Sequence, residues 1–120
     1  MKPTIIAIIP AFNEGATIKQ VVVSVAKELD KVVVIDDGSA DNTRNEAESG
    51  GAYLVTHTFN KGYDQSLNDG FMKAMELNGD VFVTLDADGQ HNATDIKKLI
   101  GPIVDGTYDV VVSSRNNIKS

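Results

Sequence analysis

Apolar residues fall along the chain in two alternating textures. Five short runs, residues 4–9, 31–35, 52–56, 80–85 and 108–113, are rich in Val and Ile and largely unbroken by polar positions. Such runs predict strands buried on both faces of a parallel sheet, since a sheet with one wet face would alternate. Between them the spacing changes to that of helices. Across residues 15–30 the apolar positions Ile18, Val21, Val22, Val25, Ala26 and Leu29 line one helical face. Tyr63, Leu67, Phe71, Ala74 and Met75 do the same within residues 62–78, as do Ile96, Leu99, Ile100, Ile103 and Val104 further on. The last of these helices is opened by Asn92 as a cap, with Asp95 three residues later. Residues 41–49 are polar and short, which predicts an exposed helix capped by Ser39 or Asp41.

Strands alternating with helices predict a βαβ series: an α/β fold with a twisted, mostly parallel sheet and helices on both faces, in three layers. No repeat, low-complexity tract or linker interrupts it, so residues 1–120 read as a single domain with a loose polar tail from Arg115. In open sheets of this kind ligands gather at the carboxyl ends of the strands. The residues there are Pro10-Ala11-Phe12-Asn13-Glu14, Asp36-Asp37-Gly38-Ser39, Asp86-Ala87-Asp88-Gly89-Gln90-His91 and Ser113-Ser114-Arg115.

Charge narrows what these ends can hold. The formal net charge is -6 with no run of Lys or Arg, which argues against a nucleic-acid partner. With no cysteine there is neither a disulfide framework nor a thiolate metal site. The longest apolar stretches, such as residues 5–10, suit a strand and not a bilayer. Met1-Lys2-Pro3-Thr4 leads straight into the first strand, so no signal peptide is expected and the location expected is the cytoplasm. An acidic chain that binds a diphosphate needs a cation between the two.

Polar loops carry Asp and Asn as caps and turn formers in any fold, and for each single acid that is the simpler account. It weakens when Asp36, Asp37, Asp86 and Asp88 gather on one edge, where a bound cation would relieve their repulsion. Asp86 and Asp88, one residue apart where a strand opens into a turn, are able to face one ion. Hard oxygen ligands with open positions suit magnesium or manganese, completed by phosphate and water. Gln90 offers an amide oxygen, whereas a lone His91 beside a helix start is more often a surface or capping residue. A carboxylate from Asp36-Asp37 suits a base N–H or a ribose hydroxyl. Phe12 offers a face for stacking or for ordinary core packing, and Lys61 a cation near a nucleotide or a solvated side chain.

These residues carry a resemblance. The chain resembles the N-terminal, nucleotide-binding part of the inverting family-two glycosyltransferases of GT-A fold, in particular the dolichyl-phosphate-mannose-synthase-like branch. The motifs are Ile9-Pro10-Ala11-Phe12-Asn13-Glu14, Val34-Ile35-Asp36-Asp37-Gly38-Ser39-Ala40-Asp41-Asn42-Thr43, Asn60-Lys61-Gly62 with Gly70-Phe71, Leu85-Asp86-Ala87-Asp88-Gly89-Gln90-His91, and Ser113-Ser114-Arg115. The resemblance implies a Rossmann-like GT-A sheet and a nucleotide site made of Pro10, Phe12, Glu14, Ile35, Asp37, Asp86 and Ala87. It implies a magnesium or manganese site at Asp86, Asp88 and Gln90, and a phosphate-binding cation at Arg115. The donor implied is a UDP- or GDP-sugar. The acceptor would be a saccharide or a lipid phosphate, such as a polyprenyl phosphate at the cytoplasmic face of a membrane. Phe12 stands where the family commonly has Tyr, and Asp64 and Gln65 replace small residues after Tyr63. Family members continue beyond this length into an acceptor-binding half that in many branches supplies the catalytic base. No residue here is assigned that base, and an excised or truncated domain is the expectation.

Two other readings compete, besides a nucleotide-binding remnant without turnover. A phosphoacceptor receiver domain would use Asp36-Asp37 as metal acids, Asp86 as the phosphorylated residue and Ser113 as its switch. It places its acid pair after the first strand, however, and leaves residues 10–14 without a role. A dinucleotide-binding domain needs a Gly-x-Gly-x-x-Gly turn where Pro10-Ala11-Phe12-Asn13-Glu14-Gly15 stands.

Overall fold

The structure is a computed structural model that describes residues 3–88 and the strand at 110–112. The order of elements is β1 (Ile5–Ala11), α1 (Ile18–Ala26), β2 (Lys31–Asp37), α2 (Thr43–Ser49), β3 (Tyr53–His57), α3 (Tyr63–Glu76), β4 (Val81–Thr84) and β5 (Val110–Val112). Among the described residues all the pairings are parallel, and the sheet order is β3-β2-β1-β4-β5. The helix expected at residues 96–104, its cap Asn92, and Gln90, His91 and Arg115 lie outside the described residues.

The unbroken apolar runs are buried on both faces, as their texture predicts. Ala7, Ile9, Val32, Val34 and Val83 pack under α1 and α2, while Ile6, Ile8, Val33, Ile35 and Phe82 pack under α3. Each Val, Ile or Phe side chain among them contributes roughly 1.5–3 kcal/mol on removal from water, before entropy is counted. Helix α3 lies close to the sheet because Gly70 has no side chain. A Cβ there would stand 2.5 Å from Ile8 Cγ2 and 2.6 Å from Ile35 Cδ1. At the amino end of the sheet, Asp30 and Asp80 accept the backbone N–H groups of Ile5 and Thr4 at 2.7 and 2.8 Å. That leaves the opposite end to carry the site.

Two boundaries differ from the sequence expectation. Strand β1 continues through Pro10 to Ala11, and β2 continues through both acids to Asp37. Proline is tolerated in the central strand because β4 has already left it: β1–β4 pairing covers only Ile5 to Ile8. Helix α2 is not wholly exposed either, since Thr43 and Ala47 are buried. Its first turn is held by Asp41, whose Oδ1 accepts the Thr43 N–H at 2.9 Å. Ser39 instead accepts the N–H of Asn13.

Candidate functional site

Strand β1 has β2 on one side and β4 on the other, and the chain order reverses direction between β1 and β4. Such a switch point opens a crevice at the carboxyl ends of the strands. Here it is widened by the early departure of β4, which ends at Thr84 while β1 runs on beside β2. Pro10 and Ala11 therefore form the central wall of the site, with different chemistry on its two sides.

On the α3 side is a cleft of about 200 Å³ lined by Pro10, Phe12, Asp37, Gly62, Tyr63 and Ser66 among others. Phe12 is 47% exposed, so its ring is a wall of this cleft and not part of the core. Asp37 is buried and heavily engaged. It accepts the backbone N–H groups of Lys61 and Gly62 at 2.8 and 3.0 Å, and its Oδ1 meets His57 Nδ1 at 2.8 Å. The other ring nitrogen of His57 meets Asp69 Oδ2 at 2.8 Å. Both partners accept, so the imidazolium, with two N–H donors, satisfies them together. Burial opposes a charged His57, but the hydrogen bonds to Asp37 and Asp69 outweigh it and hold its pKa above the ordinary value. Burial likewise works against the Asp37 carboxylate, and the His57, Lys61 and Gly62 donors hold its pKa below the usual range.

On the β4 side stands the loop with Asp86, Ala87 and Asp88. Both acids are partly buried. Thr17, one residue before α1, donates its hydroxyl to the Ala87 carbonyl at 2.7 Å and so bolts the loop after β1 to the loop after β4. Glu14 faces the same space: burial first, then the carboxylates of Asp88, Asp41 and Asp86, push its pKa up. The Phe12–Thr17 segment is also stitched to the loop after β2. Asn13, at φ 54°, accepts the Ala40 N–H at 2.8 Å, Thr43 Oγ1 accepts the Glu14 N–H at 2.9 Å, and Asp41 accepts the Gly15 N–H at 3.0 Å. Three loops thus form one rigid rim.

The expected residues are partly brought together and partly redistributed. Pro10, Phe12 and Asp37 share the cleft, and Glu14 joins Asp86 and Asp88 across the wall. The four acids of this edge do not form one cluster, however. Strand alternation sends Asp36 and Asp37 to opposite faces, where Asp36 accepts the Ser39 N–H and Asp37 takes the partners above. Ile35 has no exposed surface and lies under Gly70, a support for the cleft and not a contact surface. Ala87 is buried and presents its carbonyl to Thr17. The Lys61 ammonium sits 5.5 Å from the Phe59 ring centroid, and its backbone serves Asp37. His57, Asp69, Thr17 and Ser66 are the residues that sequence reasoning missed. The available signal was a histidine directly after the apolar run at 52–56. The receiver reading fails on topology, because that fold has the order 2-1-3-4-5.

Comparison with known proteins agrees with this architecture. Residues 6–120 match the family model described as Glycosyl transferase family 2. The chain is 38% identical over 126 aligned positions to a UDP-N-acetylglucosamine–dolichyl-phosphate N-acetylglucosaminyltransferase of Methanococcus voltae, with 90% of this chain and 50% of that protein covered. It is 35% identical over 116 positions to a dolichol-phosphate mannosyltransferase of Pyrococcus furiosus, covering 90% of this chain and 32% of the relative. The chain thus spans half or less of the length of these curated relatives. Glucosyl-3-phosphoglycerate synthase from Mycobacterium tuberculosis, solved with Mn2+, UDP and glucosyl-3-phosphoglycerate, superposes with a TM-score of 0.71 at 28% identity. That match covers 87% of this chain and 40% of the synthase, and the solved neighbours are glycosyltransferases of GT-A fold. The chain belongs to glycosyl transferase family 2 and has the family's GT-A architecture.

Proposed function

We propose that this chain is the donor-binding part of a glycosyltransferase, holding a UDP- or GDP-sugar for inverting transfer to an acceptor. The observation that carries the reading is the pairing, across Pro10 and Ala11, of an aromatic-walled cleft containing Asp37 with the loop of Asp86 and Asp88. The first accepts a base N–H beside a stacking surface, and the second suits a diphosphate joined through a cation. A relative named for transfer from UDP-N-acetylglucosamine to dolichyl phosphate, and a neighbour solved with UDP and Mn2+, support a nucleotide-sugar donor and a divalent cation.

The donor set fits magnesium or manganese. Asp86 and Asp88 offer hard oxygens, and Glu14 stands near enough that, after burial, their carboxylates help to raise its pKa. Among the described residues no group of three or more His, Cys, Asp or Glu is placed to hold a metal, so substrate phosphate and water would have to complete the ion's shell. When bound, such an ion would offset the charge of the diphosphate and would supply Lewis acidity to the leaving group. The chain's own residues do the rest: Phe12 and Asp37 orient the base, Thr17 fixes the Asp86–Asp88 loop, and the rim keeps the two at constant separation. Gln90 as a further ligand and Arg115 as a phosphate cation complete the proposal.

For the acceptor we propose a lipid phosphate of the polyprenyl kind, met at the cytoplasmic face of a membrane. No described helix is long and apolar enough to cross one. The test is calorimetric titration of UDP and GDP, with and without Mn2+, into the protein and into Asp88→Ala. The expected result is metal-dependent binding of at least one nucleotide, greatly weakened in the variant. Absence of binding by either nucleotide with Mn2+ present overturns the reading.

A further inference from the structure

His57 stands between two carboxylates that belong to different layers of the fold. Nδ1 lies 2.8 Å from Asp37 Oδ1 on β2, and Nε2 lies 2.8 Å from Asp69 Oδ2 on α3. The ring is buried, so little water is at hand to replace either partner. A carboxylate accepts and does not donate, and only the doubly protonated ring makes both contacts together. A neutral ring keeps one N–H, and its other nitrogen turns a lone pair on a carboxylate oxygen at hydrogen-bond distance. One of the two acids must then swing aside. The remaining charges nearby supply no substitute. Lys61 acts on Asp69 at longer range, and Lys73, one turn further along α3, pairs with Glu76. Asp36, Asp41 and Arg44 line a polar pocket with His57 beside α2, and none of them is ion-paired with the ring.

Both acids bear on the cleft. Asp37 lines it, and α3 supplies part of its wall through Tyr63 and Ser66, with Asp69 about one turn beyond Ser66 on the same helix. If Asp37 swings, an acceptor in the cleft is redirected. If Asp69 swings, the start of α3 loses its tie to the end of β3. We infer that His57 and Asp69 are positioning residues that form a proton-controlled latch, closed when the imidazole is charged, which keeps Asp37 and the first turns of α3 in the geometry a bound nucleotide needs. This rests on the nucleotide reading above, but not on which base is bound. Burial works against the charged ring, yet the hydrogen bonds to Asp37 and Asp69 outweigh it and hold its pKa above 6.5. The latch is therefore closed below 6.5 and opens as pH rises through the folded value. One unit beyond that value about a tenth of the rings remain charged, so apparent affinity falls about tenfold.

The test is titration of UDP and GDP, each with Mg2+, into the full chain from about pH 6 to about pH 9, alongside nuclear magnetic resonance of the imidazole rings without nucleotide. The chain has two histidines, His57 and His91, and His57→Gln tells their signals apart. Affinity for the nucleotide that binds is expected to fall about tenfold per pH unit above the His57 midpoint, and the two profiles are expected to share that midpoint. Asp69→Asn is the discriminating variant. Its amide oxygen accepts from Gln65, as Asp69 does at 2.9 Å, while its amino group donates to Nε2 of a neutral ring. The latch then stays closed without a charge, and the fall in affinity with pH is expected to disappear. Titration of the nucleotide phosphates is common to both proteins and cancels in the comparison. An Asp69 that merely supported the fold would lower affinity by one factor at every pH and keep the slope, which overturns the latch. Should the variant fail to fold, the midpoints of the unaltered chain decide: a shared midpoint upholds the latch and separate ones overturn it. A nucleotide that binds with a flat profile overturns the latch and leaves the site standing. Failure of both nucleotides at every pH overturns the site and the latch together.

Discussion

The buried histidine is the place where fold stability and site chemistry can be measured with one substitution. His57→Leu keeps a comparable volume at the end of β3 and removes the two contacts to Asp37 and Asp69, each 2.8 Å long. Hydrogen bonds to charged groups contribute about 1.5–3 kcal/mol apiece, so the gross loss is roughly 3–6 kcal/mol. Two things reduce it. Asp37 keeps the Lys61 and Gly62 N–H groups, and Asp69, whose side chain is 25% exposed, regains water. The net expectation is about 3 kcal/mol, the lower end of what breaking a buried ion pair costs. The pH dependence follows from the two shifts. His57 is raised, so its contribution is fully present below the ordinary imidazole value of 6.5 and is lost as pH rises through the higher folded value. Asp37 is lowered, so its contribution is present above 3.8 and is lost as pH falls through the folded value. The difference between the two proteins is therefore greatest between 3.8 and 6.5 and declines on both sides. Urea unfolding followed by circular dichroism at a series of pH values reads this directly, with an unchanged m-value as the check on two-state behaviour. A difference below about 1 kcal/mol, or one that is flat from about pH 5 to about pH 9, refutes the ion-pair account.

Two further predictions concern the rim. Thr17→Val removes the donor to the Ala87 carbonyl with little change in shape; a loss of about 1 kcal/mol and a severalfold weaker Mn2+-dependent nucleotide affinity are expected, measured by thermal melting and calorimetry. Unchanged affinity would mean that the bolt does not hold the Asp86–Asp88 loop. Gly38 has φ 76°, and a Cβ there would meet Phe59 C at 2.5 Å and Asn60 N at 2.7 Å, backbone atoms that cannot step aside. Gly38→Ala should cost about 3 kcal/mol, whereas Gly51→Ala, at φ 100° with nothing within 4 Å, should show only the roughly 1–2 kcal/mol of left-handed strain. Equal costs in urea unfolding would count against the close approach of the two loops.

The sheet was legible because its runs are long in β-branched residues, and α1 because its stripe is regular; in α3 the expected face holds only in part, since Tyr63 and Met75 are exposed while Ser66 and Gly70 are buried against the sheet. Strand ends were less so. Pro10 reads as a terminator, yet it remains in β1 because β4 leaves early, a fact about a neighbour some seventy residues away. Asp36-Asp37 reads as a pair, and it becomes two separate sites only once the strand is known to run through it. The hardest to see was His57. Its two carboxylates lie twenty residues before and twelve after it, and only the β2–β3 register and the seating of α3 bring them together. Phe12 was open between stacking and core, and its neighbours, not its type, decide for the cleft.

The Thr17 bolt has a consequence for how tightly any two-ended ligand is held. With both banks of β1 fixed to one rim, a molecule docked at one end presents its other end to a partner whose position is already set. The second contact is then governed by an effective concentration, and not by the bulk one. A nucleoside alone and a metal–diphosphate alone would each bind feebly, while their covalent union would bind far more tightly than the two affinities suggest. Loosening the bolt would cut that advantage while leaving each fragment's own affinity almost untouched.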